Sequence, residues 1–227
     1  MVSGCTSWPP LNAFSVCNEI AEINKKAGNV GLELAGAISD SRKYSKMNIE
    51  IVSGSPRKAS VTFRLAVFLQ KTLCEKTAHT IQIIDVREWN FPVLQEQVYS
   101  SVDNTPDKYK PLARRMFAAN AFIIVTPEYN GSYTPSMKNL FDHFPKQFHK
   151  SFGLVTASTG AMGGMRASQQ LQLLVGALFG IASPYMLITP QVDKKFDKAG
   201  NLIDEKFLNS IHTFISEFLW LAERLVA

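Results

Sequence analysis

The chain has 227 residues, enough for one sizeable domain and tight for two. Hydrophobic residues make up 46% and charged residues 19%, which excludes a disordered chain, and no apolar stretch reaches the ~18 residues that a membrane helix needs. The net charge of +5 is spread along the chain without a Lys/Arg block, which argues against nucleic acid as a partner and suits anionic small ligands.

Residues 1–46 stand apart from the rest. They hold "TSWPP", a mixed "FSVCNEIAEINKK" that could form a short helix over 12–27, and "ELAGAIS". Basic n-region and sustained apolar core are both missing, so this is no secretory signal. Met47 directly precedes the first strand, and the expectation is a poorly ordered tail or a mis-assigned start; the alternative is a targeting or partner-binding arm. Cys5, Cys17 and Cys74 cannot all pair and match no metal spacing, which points to a reduced, cytoplasmic protein.

From Met47 the pattern is regular. "MNIEIVSG" reads as a strand. A helix over 60–76 follows, with Val61, Leu65, Phe68, Leu69 and Leu73 on one face. "HTIQIIDV" is a second strand, then comes a polar stretch from Trp89 to Pro106 and a helix over Asp107 to Ala119. "AFIIVTP" is apolar on both faces, as a buried parallel strand is. "SMKNLFDHF" is helical, "SFGLVTAS" a fourth strand, 164–179 a helix and "PYMLITP" a fifth strand. "DKKFDKAGNLID" carries the turn Ala199-Gly200-Asn201 and reads as a small hairpin or surface excursion. An amphipathic helix from Asp204 to Leu225 closes the chain, with Ile211, Phe214, Ile215, Phe218 and Ala222 at spacings of 3 and 4.

Alternating strands and helices imply an α/β fold, a parallel sheet covered on both faces. Five strands in one compact domain favour the flavodoxin-like three-layer sandwich, strand order 2-1-3-4-5, over the Rossmann order. Ligands then bind beyond the carboxyl ends of the strands, beside the switch point between strands one and three.

The loops at those ends carry unusual residues. "SGSPRKAS" after strand one has neither the second glycine nor the Lys-Ser/Thr pair of a triphosphate loop, and no G-x-G-x-x-G. Ser53, Ser55, Ser60 and Thr62 supply hydroxyls, Ser60 sits at the N-cap position, and Arg57 adds a cation. Free N–H groups and the positive dipole end of a helix suit a phosphate there. An ordinary Ser-capped helix with a solvent-facing arginine explains the loop equally well. "TPEYNGSYTPSMKN" after strand three is turn-rich, and its Tyr129 and Tyr133 either flank a planar ring or cover the core. "ASTGAMGGMRAS" after strand four holds Gly160, Gly163 and Gly164, which let the backbone approach a ligand or serve the turn alone.

Taken together, "GSPRKAS", "PEYNGSYTPSMKNLFD" and "STGAMGGMRA" resemble the three flavin-contacting loops of the NADPH-dependent FMN reductase family. The resemblance runs from Met47 to the end of the chain. One departure is Thr62, where many members have Asn; threonine keeps a hydroxyl donor. The resemblance implies that Ser55, Arg57, Ser60 and Thr62 hold the FMN phosphate. It implies that Pro127, Glu128, Tyr129 and Asn130 line the isoalloxazine and ribityl chain, mostly through backbone groups. Ser158, Thr159, Gly160, Gly163 and Gly164 would place backbone donors at the pyrimidine edge, where reduction puts negative charge. The implied activity is an NAD(P)H oxidoreductase: hydride passes from NADPH or NADH through bound FMN to a quinone, azo compound, flavin or similar small-molecule acceptor, with ping-pong kinetics. No catalytic side chain and no metal are implied, and His79, His143, His149 and His212 show neither triad nor ligand spacing. A homodimer or homotetramer is implied too, with Met137, Leu140, Phe141, Leu171, Leu174 and Phe179 as interface candidates; core packing is the competing explanation for each, and it wins for some. The alternative is a flavodoxin-like electron carrier without turnover of its own; the basic balance, 24 Lys and Arg against 19 Asp and Glu, disfavours it.

Overall fold

The computed structural model describes residues 45–94 and 98–226, so the expectations for 1–46 lie outside the described residues except at Ser45 and Lys46. Strand β1 (Asn48–Ser53) leads to helix α1 (Thr62–Lys76) and strand β2 (Thr80–Asp85). After the long 86–106 segment, a 3-10 turn (Asp107–Tyr109) runs into α2 (Lys110–Ala118) and β3 (Ala121–Thr126). Then follow α3 (Pro135–Asp142), β4 (Ser151–Ala157), α4 (Met165–Ala177), β5 (Ile181–Ala182) and β6 (Leu187–Thr189). A one-turn helix α5 (Val192–Lys195), a 3-10 turn (Glu205–Phe207) and α6 (Leu208–Val226) complete the domain.

The sheet is parallel, in the order β2-β1-β3-β4-β5, with β6 also on β4. This is the flavodoxin-like order. Alternation along each strand sends side chains to two separate cores. Ile49, Ile51, Ile123, Val125 and Val155 face α1 and α6, meeting Leu65, Leu69, Leu73, Phe214 and Phe218. Val52, Phe122, Ile124, Phe152 and Leu154 face α2, α3 and α4, meeting Met116, Phe141, Leu171 and Val175. Helix α6 approaches the sheet at Gly153, where an added Cβ would lie 2.8 Å from Phe214 Cζ and 3.0 Å from Phe218 Cδ2.

Two expectations need correction. Within "PYMLITP", residues 184–190, only Leu187–Thr189 is strand, and a separate short pairing precedes it. Ile181 and Ala182 pair with Ser151 and Phe152, and the pairing resumes at Leu187–Thr189 against Val155–Ala157. The gap opens after Ser183, whose N–H still donates to Phe152 O at 2.8 Å; the next residue is Pro184, which has no N–H to give. The supposed interface residues are core instead: Met137, Leu140, Phe141, Leu171 and Leu174 are all buried, and of that set Phe179 alone is exposed. The 193–204 excursion is a small hairpin, closed by the antiparallel bridge Phe196–Leu202 with Gly200 at φ +79°.

Phe218 is fully buried and stacks on Phe214 at 6.3 Å. Phe218→Ala is expected to lower unfolding stability by about 3–5 kcal/mol, read from urea denaturation, with strand β4 the nearest element disturbed.

Candidate functional site

The loops after β1, β3 and β4 meet at the carboxyl edge of the sheet and enclose a cleft of about 200 Å³. Its wall on the β1 side is Ser55, Arg57 and Ala59 to Thr62; Pro127, Glu128 and Tyr129 come from the β3 loop, and Ala157, Ser158 and Thr159 from β4. Of the residues proposed from sequence, Ser55, Arg57, Ser60, Thr62, Pro127, Glu128, Tyr129, Ser158 and Thr159 thus share one cleft. Asn130, Gly160, Gly163 and Gly164 are not in its lining; they shape the turns behind it.

The β1–α1 loop presents donors. Among the described residues, the backbone N–H groups of Ser55, Arg57, Lys58, Ala59, Val61 and Thr62 make no hydrogen bond to protein; Pro56 has no N–H, and that of Ser60 closes the turn over Lys58 and Ala59. The Ser60 hydroxyl accepts from Phe63 N–H at 3.2 Å, so Ser60 does cap α1, although the helix itself begins at Thr62. No acidic residue lies in the first turn of α1. Ser55 and Thr62 are buried, and Arg57 is exposed with its guanidinium carbon 5.1 Å from the centre of the Tyr129 ring.

The β3–α3 loop is a tight turn. Tyr129 and Ser132 exchange both backbone hydrogen bonds, at 2.8 and 3.1 Å, around Asn130 (φ +50°) and Gly131 (φ +81°). Asn-Gly is the pair that accepts two left-handed residues in succession. The loop then ties back to its neighbour. The Thr134 hydroxyl donates to Gly54 O and accepts from Met137 N–H at 3.3 Å, capping α3 ahead of Pro135. Burial pushes the Tyr133 hydroxyl above its usual range, and its ring packs on the core. So Tyr133 covers the core, and Tyr129, half-buried, faces the cleft.

The β4–α4 loop depends on its glycines. Gly163 and Gly164 have φ of +62° and +87°, and an added Cβ would lie 2.7 Å from Pro190 N and 2.9 Å from Thr156 Cβ respectively. Glu128 reaches across from the β3 loop: its carboxylate accepts from Arg166 N–H at 3.1 Å and Ala167 N–H at 3.4 Å, the first turn of α4.

A family model for NADPH-dependent FMN reductase matches residues 47–191. The chain belongs to the NADPH-dependent FMN reductase family. An FMN-dependent NADPH-azoreductase of Staphylococcus saprophyticus is 30% identical over 177 residues, covering 74% of this chain and 92% of that protein. Its Staphylococcus aureus (strain USA300) counterpart is 31% identical over 176 residues, with the same coverage. Among solved structures, FerB, a flavoenzyme NAD(P)H:(acceptor) oxidoreductase from Paracoccus denitrificans, superposes with a TM-score of 0.62 at 19% identity, covering 80% of this chain and all of that one. The NADH:FMN oxidoreductase EMOB gives 0.59 at 19% identity, covering 77% and 90%. Both share the fold.

The donor set suits the FMN of the NADPH-dependent FMN reductase family: N–H groups, hydroxyls and Arg57 at a helix start, with Tyr129 across the cleft. Asp85 and Arg87, at and just beyond the end of β2, do not stand out from the sequence as site residues, yet they lie on the same edge. Asp85 is buried, and Arg87 Nε lies 2.9 Å from both its oxygens. The hydrogen bond to Asp85 holds the Arg87 guanidinium above its ordinary pKa, against the opposing effect of burial. The signal was available as "DVR" on the same carboxyl edge as the other loops. The histidines are placed elsewhere: His79 joins Met47 N–H to Glu223, and His143 is buried against Phe91 and Tyr99.

Glu128→Ala removes the acceptor for two N–H groups of α4 and is expected to cost about 1–2 kcal/mol in urea unfolding. Glu128→Gln, which keeps an acceptor oxygen, should recover part of that loss.

Proposed function

We propose that the chain is an FMN-dependent NAD(P)H oxidoreductase whose acceptors are quinones, azo compounds, flavins or similar small molecules. The observation that carries this reading is the set of N–H groups without protein acceptors among the described residues, those of Ser55, Arg57, Lys58, Ala59, Val61 and Thr62, at a helix start that has no acid of its own. Ser55, Arg57, Ser60 and Thr62 would hold the phosphate. Pro127, Tyr129 and Asn130 would line the ring and ribityl chain; Glu128 would contribute through its backbone, since its carboxylate is engaged at α4. Ser158, Thr159 and Gly160 would offer donors to the pyrimidine edge, with Gly163 and Gly164 providing the bends that bring them there. When bound, FMN supplies the hydride-accepting and hydride-donating chemistry.

The names of the staphylococcal relatives support NADPH as the reductant and an azo compound as one acceptor. The cationic Arg57 at the cleft mouth also favours NADPH over NADH. One cleft serving reductant and acceptor in turn gives ping-pong kinetics, so double-reciprocal plots at several acceptor concentrations should be parallel. The proposal extends to a homodimer or homotetramer. Phe179 (56% exposed) and Phe148 (57%), with rings 4.9 Å apart, form an apolar patch suited to a second copy. Light scattering should then report a multiple of 25.2 kDa.

The purified protein should be yellow and oxidise NADPH with a quinone or an azo dye. A protein that binds no FMN at micromolar concentration would sink the proposal. Arg57→Ala should weaken FMN binding by about 1–3 kcal/mol, measured by flavin fluorescence, as loss of a charge-assisted bond does. An unchanged dissociation constant would show that the phosphate does not sit at this loop.

A further inference from the structure

Arg87 makes contacts with three separate elements. Nε and Nη2 grip the Asp85 carboxylate at the end of β2; Nη1 donates to Lys58 O at 3.1 Å; and the guanidinium carbon sits 4.5 Å from the centre of the Phe63 ring, in the first turn of α1. Asp85 is itself fixed. It pairs with Ser53 of β1, and the following N–H, that of Val86, donates to Ser53 O at 3.1 Å. The arginine therefore connects a rigid strand end to the turn at Lys58 and Ala59 in the middle of the β1–α1 loop.

That contact has a directional consequence. In a trans peptide the C=O and the next N–H point opposite ways. With Lys58 O held outward on Arg87, the N–H of Ala59 points to the other side of the peptide. Ala59 lines the cleft, and its N–H has no acceptor among the described residues. If the peptide turned over, a carbonyl oxygen would face the cleft instead and repel an anion there.

We propose that Arg87 is a positioning residue for the FMN phosphate, holding the Lys58–Ala59 peptide so that the Ala59 N–H donates into the cleft. Arginine is suited to this because its planar fork grips a carboxylate with two nitrogens and keeps a third for the carbonyl; a lysine ammonium has no such fixed geometry. The proposal rests on the reading that this loop takes the phosphate.

The test compares FMN with riboflavin, which has the same ring and ribityl chain without the phosphate. Dissociation constants for both are measured by flavin fluorescence on the wild type, Arg87→Lys and the double variant Asp85→Asn/Arg87→Gln. The double variant leaves no buried carboxylate unpaired, which guards against simple misfolding. The wild type should prefer FMN. In both variants FMN affinity should fall about threefold to tenfold, the loss expected for one oriented hydrogen bond, while riboflavin affinity stays within about twofold. Equal losses for both ligands, or no loss for either, would overturn the role of Arg87 while leaving the phosphate site standing. A wild type that binds riboflavin as tightly as FMN would overturn the phosphate reading, and this proposal with it.

Discussion

The site depends on how the Gly54 peptide is held. Its N–H donates to Val125 O at 2.9 Å, continuing the β1–β3 ladder past the last strand residue, and its carbonyl accepts from the Thr134 hydroxyl. Thr134 also caps α3. Two loops 80 residues apart in sequence are thereby locked together where β1 and β3 send their helices to opposite faces of the sheet. An added Cβ at Gly54 would sit 2.0 Å from Met137 Cε, so the side chain of α3 fills the space that any larger residue would need. A crevice at the switch point of a parallel sheet follows from topology. Its fixed width follows from this one peptide.

Helix α1 starts in the cleft wall and α4 starts behind the Glu128 that lines it, and the two starts are electrostatically unequal. The first turn of α4 is already occupied by the Glu128 carboxylate. That of α1 has no acid, and Arg57 and Lys58 precede it. Both helix ends carry the same partial positive charge, but one is neutralised by the protein and the other is left for a ligand. A molecule with an anionic end and a planar end is thereby given a direction. In the proposed arrangement the anion would go to α1 and the ring would lie toward the turn of Tyr129 and the β4 loop. FMN is such a molecule, and the asymmetry would orient it.

Much of this was legible in the chain. The four long strands declare themselves by short β-branched runs, and α1 and α6 by apolar spacing of 3 and 4. The loops were found by their turn residues, because Gly163, Gly164 and Asn130-Gly131 sit where positive φ is required. What was missed depends on contacts distant in sequence. The resemblance assigns Glu128 a role mostly through its backbone and leaves its carboxylate without one; that the carboxylate caps a helix 38 residues on is set by tertiary packing, which no local pattern encodes. The apolar faces of α3 and α4 could equally have been interface, and burial on the sheet decided between the two readings. The break in the last strand was written in Pro184, yet its consequence depends on which neighbour the strand pairs with.

The arginines show how the remaining charge is distributed. Arg87 faces Asp85, Arg115 faces the buried Glu50, and Arg166 lies by Glu128. Each has a carboxylate close by. Arg57 has a tyrosine face instead and no acid partner among the described residues. A ring quadrupole restrains the guanidinium without cancelling its charge, so the cation stays available to an anion and loses little freedom on meeting one. An acid in place of Tyr129 would compete with the ligand for the same fork. Arg64, Arg114 and Arg224 also have no carboxylate partner among the described residues, but of these four arginines Arg57 alone lines the cleft, where an unpaired cation suits the proposed phosphate site.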